Sequence, residues 1–71
     1  MNIVKVKVKN INKFASVFGA DCFLEWYPEL LTTGIDVARI MDRYYIIKDG
    51  KVVNDTQFFS TADMKTLKIV K

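Results

Sequence analysis

The feature that most constrains the fold of this chain is a β-hairpin pattern in residues 44–53. The residues Tyr-Tyr-Ile-Ile-Lys precede Asp49-Gly50, and Lys-Val-Val follows. Asp-Gly readily adopts the two positive φ angles of a two-residue type I′ turn, which matches the twist of paired strands. The chain is therefore expected to contain an antiparallel pair of strands joined at this dipeptide.

A second strand is predicted at residues 3–9, where three valines alternate with three lysines. A period of two places the valines on one face of a sheet and the lysines on the other. At a sheet edge such lysines would also discourage pairing with other molecules, and the position near a chain end favours an edge strand. The alternating residues are Val4, Lys5, Val6, Lys7, Val8 and Lys9.

The last third of the chain predicts two further short strands, at residues 56–59 and 66–70. Between them, Ser60 and Asp63 have the spacing of capping partners, so residues 60–64 are expected to form a turn or one helical turn. Together with the hairpin and the first strand, these segments form a mostly antiparallel sheet.

Helices are expected between the first strand and the hairpin. Asn10 is a favourable N-cap for residues 11–18, whose apolar residues have helical spacing, and Gly19 would end that helix. The pair Thr33 and Asp36 predicts the start of a helix over residues 35–43, although the β-branched residues there leave a strand open.

Residues 22–27 fit either a strand or a helix, and an extended segment is preferred. The proline that follows disfavours helical geometry at Tyr27 and suits the first position of a helical turn over residues 28–31.

The predicted fold class is α+β, a small mostly antiparallel sheet of four to five strands packed against one or two short helices. The 71 residues are expected to form one domain, 1–71. Hydrophobic residues make up 51% of the chain, which is enough for a packed core. The predicted core comprises Val4, Val6, Val8, Phe14, Phe18, Leu24, Val37, Ile40, Ile46, Val52, Phe58, Leu67 and Ile69.

Catalytic and metal-binding functions are disfavoured by the residue types that the chain lacks. It has no histidine, and its one cysteine, Cys22, has no histidine to activate it and is expected to be buried and inert. The three glycines are isolated from one another, so no phosphate-binding loop is present. We therefore expect a non-enzymatic protein with no catalytic residues, no metal and no cofactor.

Acidic and basic residues are concentrated in different segments of the chain. Residues 1–13 carry four bases and no acid, residues 14–38 carry four acids and no base, and residues 39–71 carry seven bases and four acids. The acidic stretch also contains three large aromatic residues close together, in a domain too small to bury all its aromatics. A protein-binding surface is predicted at Phe23, Glu25, Trp26, Tyr27 and Glu29, with Trp26 and Tyr27 as anchors.

The alternative is a nucleic-acid-binding protein that uses a basic sheet face, formed by Lys5, Lys7, Lys9 and Lys68. Protein binding is preferred because the net charge of +3 is modest. A homo-oligomer is a further alternative, and no membrane partner is expected. The absence of a secretory signal and of disulfide pairs favours the cytoplasm. The small size and AT-rich-type composition suggest an inhibitor or adaptor from a phage or mobile element.

Overall fold

The computed structural model describes residues 2–70. Within this range the chain forms six β-strands, three short α-helices and one 3-10 helix. In chain order the elements are β1 (Ile3–Val8), α1 (Ile11–Phe14), α2 (Ala20–Trp26), the 3-10 helix (Pro28–Leu31), β2 (Ile35–Ile40), β3 (Arg43–Lys48), β4 (Lys51–Val52), β5 (Phe58–Ser60), α3 (Thr61–Met64) and β6 (Leu67–Ile69). The predicted α+β class is confirmed, with one strand and one helix more than the upper numbers expected.

The strands form an antiparallel sheet in the order β4-β3-β2-β1-β6, and β5 pairs with the first half of β3. β1 lies inside this order, between β2 and β6. The expectation that β1 is an edge strand is therefore wrong, and its lysines do not protect an edge. The outer positions belong to β6 on one side and to β4 and β5 on the other.

The valine and lysine alternation in β1 separates the two faces of the sheet, as predicted. Val6 and Val8 are buried in the main hydrophobic cluster, together with Phe14 of α1, Phe23 of α2 and Leu30 of the 3-10 helix. The helices thus cover the valine face. Lys5 and Lys7 alternate with these valines, so their side chains extend from the opposite face of the sheet.

Three local predictions from capping and turn residues are confirmed. Asp49 and Gly50 have φ angles of 55° and 76°, and β3 pairs with β4 across them. The Asn10 side chain accepts hydrogen bonds from two backbone amides at the start of α1. Ser60 and Asp63 form a reciprocal capping box on α3. In each case the residues that make the structure are adjacent in sequence.

The helix predicted over residues 11–18 is shorter than expected. α1 ends at Phe14, and Gly19, with φ of 75°, starts α2 rather than ending α1. The turn between the two helices buries Val17 and leaves Phe18 96% exposed. Val17 and Phe18 are neighbours, so a chain that turns here buries only one of them.

Residues 22–26 are helical rather than extended, which corrects the preferred interpretation, and Tyr27 is the C-cap of α2 with non-helical geometry. Ala20, Phe23 and Tyr27 recur at helical spacing and are all buried. The alternation of residues 22–27 indicated a strand only because the window began after Ala20. The 3-10 helix that follows has Pro28 at its first position, as predicted.

Residues 35–43 form a strand and a turn rather than the predicted helix. β2 pairs with β1 on one side and with β3 on the other, with Val37 opposite both Val4 and Ile46. The β-branched residues of this segment suit a strand buried between two partners. The Thr33 and Asp36 pattern does not cap a helix here, because Asp36 lies within β2 and forms a salt bridge with Lys5.

The predicted core is largely correct. Three of its members are exposed and are corrections: Phe18, Ile40 and Ile69. Four are half-buried: Val4, Leu24, Val52 and Phe58. The remaining six are buried: Val6, Val8, Phe14, Val37, Ile46 and Leu67.

Candidate functional site

An apolar concavity of about 510 Å³ lies between α2 and β5. We call it the aromatic groove. Its lining includes Phe18, Cys22, Phe23, Trp26, Gln57 and Phe58. Two of these side chains are large, apolar and open to solvent, since Phe18 is 96% exposed and Trp26 is 52% exposed. Exposed aromatic area concentrated at one concavity is typical of a binding surface.

The inner part of the aromatic groove is continuous with the core. The Phe23 ring is 4.6 Å from the Phe59 ring, centroid to centroid, and Phe59 is fully buried. Phe23 also packs edge-to-face against Trp26, with a centroid distance of 6.1 Å. Trp26 is three residues after Phe23 on α2, so helical spacing places both rings on one side of the helix.

The opposite wall, Phe58, packs against side chains of the neighbouring strand β3. The Arg43 guanidinium carbon lies 4.5 Å from the centroid of the Phe58 ring, which is a cation–π contact. The Tyr45 ring lies 5.7 Å from the same ring. Phe58 is therefore packed on its far side, and the groove between it and α2 is largely preformed.

The surroundings of the aromatic groove are acidic. Asp63 is part of its lining, which contains no basic residue. One Asp63 carboxylate oxygen accepts a hydrogen bond from the Ser60 backbone amide, which holds the side chain in place. Asp21 and Glu25 are exposed on α2, the helix that supplies Cys22, Phe23 and Trp26. A positively charged ligand is favoured at such a rim.

The structure separates the two predicted anchors. Trp26 has the exposed area that a contact needs, whereas Tyr27 is 7% exposed and belongs to the main hydrophobic cluster. The Tyr27 hydroxyl donates a hydrogen bond to Gln57 Oε1. Burial raises the pKa of this hydroxyl above its ordinary value. Tyr27 thus packs the domain rather than offering a free ring.

The other predicted contact residues have different positions. Phe23 is buried and forms the inner part of the groove, and Glu25 is exposed on α2. Glu29 is on the 3-10 helix and lines a separate depression that includes Lys5 and Asp36. Glu29 is not among the residues that line the aromatic groove.

Sequence reasoning missed most of the residues that line the aromatic groove. Phe18 and Phe58 were assigned to the core, and Cys22 was expected to be buried. Cys22 is exposed. The exposure of Phe18 could have been anticipated from its neighbours. It follows Val17 directly and precedes a glycine, and a chain that turns here buries only one of the two side chains. Phe58 and α2 are more than thirty residues apart in sequence, so no local pattern brings them together.

Three of the four lysines predicted as a basic sheet face share one face of the sheet, because Lys7 lies opposite Lys68 in the β1–β6 pairing and Lys5 is two residues from Lys7 on β1. Lys5 forms a salt bridge with Asp36, at 3.3 Å, and the Lys7 ammonium donates to the Thr32 carbonyl oxygen at 3.5 Å. Lys9 and Lys68 line a second concavity of about 580 Å³. We call it the basic groove, and its lining also includes Val4, Arg39, Tyr44 and Ile69.

Within residues 2–70, no helix has both the length and the apolar character needed to cross a membrane. In the same range, no three acidic or cysteine side chains are grouped so that they could hold a metal ion. Comparison of the chain with family models, with curated proteins and with solved structures finds no match in any of the three.

Proposed function

We propose that this protein is a non-enzymatic protein-binding module and that the aromatic groove is its contact surface. The observation that carries the proposal is the exposure of Phe18 and Trp26 at the opening of one apolar concavity. Burial of a phenylalanine side chain stabilises a protein or a complex by about 1.5–3 kcal/mol. The folded domain leaves this contribution unused at Phe18, and a partner that covers the ring gains it.

The partner segment that fits the aromatic groove carries an apolar side chain flanked by lysine or arginine. The apolar side chain enters between α2 and Phe58, and the basic residues approach Asp63 and the exposed acids of α2. Attraction between opposite charges accelerates association and favours basic partners over acidic ones. The small size of the chain and its single cysteine support an inhibitor or adaptor that acts in the cytoplasm.

A peptide library displayed on phage tests the proposal without knowledge of the natural partner. Peptides are selected against the wild-type protein, and their affinities are then measured for the double variant Phe18→Ala/Trp26→Ala. The control is Ile11→Ala/Leu31→Ala, because Ile11 and Leu31 are also exposed apolar residues but do not line the aromatic groove. Trp26 is the only tryptophan, so its emission reports directly on a peptide that covers the groove.

The enriched peptides are expected to combine an aromatic or aliphatic residue with lysine or arginine. The groove variant is expected to lose about 2 kcal/mol or more of binding, which is about thirtyfold in dissociation constant. The control should bind within about twofold of wild type, as expected for surface changes outside a contact. Equal affinity for the groove variant and the wild type would refute the proposal. So would peptides that leave the emission of Trp26 unchanged.

A further inference from the structure

The basic groove carries positive charge, and among residues 2–70 no carboxylate belongs to its lining. Its lining contains Lys9, Arg39 and Lys68. A smaller neighbouring concavity of about 210 Å³ shares Lys9 and adds Lys13 and Lys65, again without a carboxylate. Five of the eleven basic residues of the chain therefore line two adjoining concavities. All five are exposed.

Two acids that are close in sequence to these residues, Asp36 and Asp63, are engaged elsewhere. The only salt bridge among residues 2–70 joins Lys5 to Asp36. Asp63 is close in sequence to Lys65, but its carboxylate caps α3 and lines the aromatic groove. The Arg39 Nε donates to the Met41 carbonyl oxygen, which aligns the guanidinium without neutralising it. The positive charge of the five residues is thus available to an external anion.

The floor of the basic groove is apolar and includes an aromatic ring. Val4, Leu67 and Ile69 form much of it, with Met64 and Tyr44 beside them. A small inorganic anion has no apolar surface that could pack on such a floor. A nucleotide chain can contact both the basic residues and the apolar floor. Its phosphates pair with lysine and arginine, and its bases pack on apolar and aromatic side chains.

We propose that the basic groove binds single-stranded nucleic acid. The phosphates lie along Lys9 and Arg39 and pass over the outer strand β6, where Lys68 alternates with Leu67 and Ile69 of the floor. An unstacked base rests on the apolar floor beside Tyr44. A duplex keeps its bases stacked inside, so it presents only phosphates and leaves the floor uncovered. This site is separate from the aromatic groove, and the proposal does not depend on the proposed function.

Fluorescence anisotropy with a labelled oligothymidylate of about 15 nucleotides tests this proposal, at salt concentrations from about 50 to about 200 mM. The variant is Lys9→Gln/Lys68→Gln. The matched control is Lys48→Gln/Lys51→Gln, which removes the same charge from the β3–β4 hairpin, away from both basic concavities. Melting temperatures of both variants establish that they fold.

The wild type and the control are expected to bind the oligonucleotide with a dissociation constant below about 100 µM at low salt. The groove variant should bind at least about tenfold more weakly, and its log–log salt slope should be shallower by about 1.4, for two lost phosphate contacts. Binding at this site should leave the emission of Trp26 unchanged. The proposal is overturned if the control variant loses as much affinity as the groove variant, or if no binding is found. It is also overturned if polyglutamate, a polyanion without bases, or a DNA duplex binds the wild type as tightly as the single strand does.

Discussion

Gly34 is the glycine at which an added side chain would cause the closest contact. It precedes β2 and has a φ angle of 91°. A Cβ atom placed there would lie 2.8 Å from the Val6 carbonyl oxygen and 3.0 Å from Lys5 Cγ. The Gly34 amide also donates to the Glu29 carbonyl oxygen, which limits how far the residue can retreat. Gly34→Ala therefore forces a displacement of backbone between the 3-10 helix and β1.

The unfolding free energy lost in Gly34→Ala follows from comparison with Gly50. Gly50 also has positive φ, but an added Cβ atom there would meet nothing within 4 Å. Gly50→Ala carries only the conformational cost, about 1 kcal/mol. Gly34→Ala carries that cost together with the close contact, which adds about 2 kcal/mol for a shift of packed backbone. The total of about 3 kcal/mol is a large part of the roughly 4–10 kcal/mol expected for a domain of this length.

Urea denaturation followed by circular dichroism measures both variants. With a slope of about 1 kcal/mol per molar urea, the midpoint of Gly34→Ala should lie about 2 M below that of Gly50→Ala. Asparagine tolerates positive φ, so Gly50→Asn should be close to wild type, whereas Gly34→Asn should still lose about 2 kcal/mol or more, because the close contact of its Cβ atom with the Val6 carbonyl oxygen is unchanged. Equal midpoints for the two alanine variants would show that Gly34 does not approach β1 as described.

Three further predictions concern other positions. Tyr27→Ala should lose about 3–5 kcal/mol of unfolding free energy, whereas Trp26→Ala should lose about 1 kcal/mol, and thermal denaturation that ranks them in the opposite order would contradict the described burial. Because burial raises the pKa of Tyr27 in the folded state, its contribution to stability is complete below pH 10.0 and is lost as the pH rises through the folded-state pKa. The urea midpoint of the wild type should therefore fall more steeply than that of Tyr27→Phe as the pH is raised above about 10. Ser60→Ala should cost about 1 kcal/mol through loss of the α3 cap, whereas Thr61→Ala should be nearly neutral in the same assay.

The aromatic groove was only partly predictable from the sequence. The concentration of aromatic and acidic residues around Trp26 directed attention to α2, and Trp26 is indeed exposed at the groove. The pattern did not distinguish Trp26 from Tyr27, because exposure depends on which side of a helix faces the sheet. The far wall, Phe58, is brought to α2 by the pairing of β5 with β3.

The sequence by itself determined the elements whose hydrogen bonds close within a few residues. The turn at Asp49-Gly50, the Asn10 cap and the Ser60 capping box need only local backbone, and all three were predicted. The alternation in residues 3–9 was sufficient for the same reason, since a period of two is a property of the strand itself.

Only the tertiary structure decided the conformation of residues 22–27 and 35–43, whose local preferences are divided. Residues 35–40 are a strand because β1 and β3 supply hydrogen-bond partners on both sides, and residues 22–26 are helical because Phe23 packs on Phe59 of the sheet. The position of β1 inside the sheet and the exposure of Phe18 have the same origin. Each depends on segments distant in the chain, and the free energy of their packing exceeds the small propensity differences within one segment.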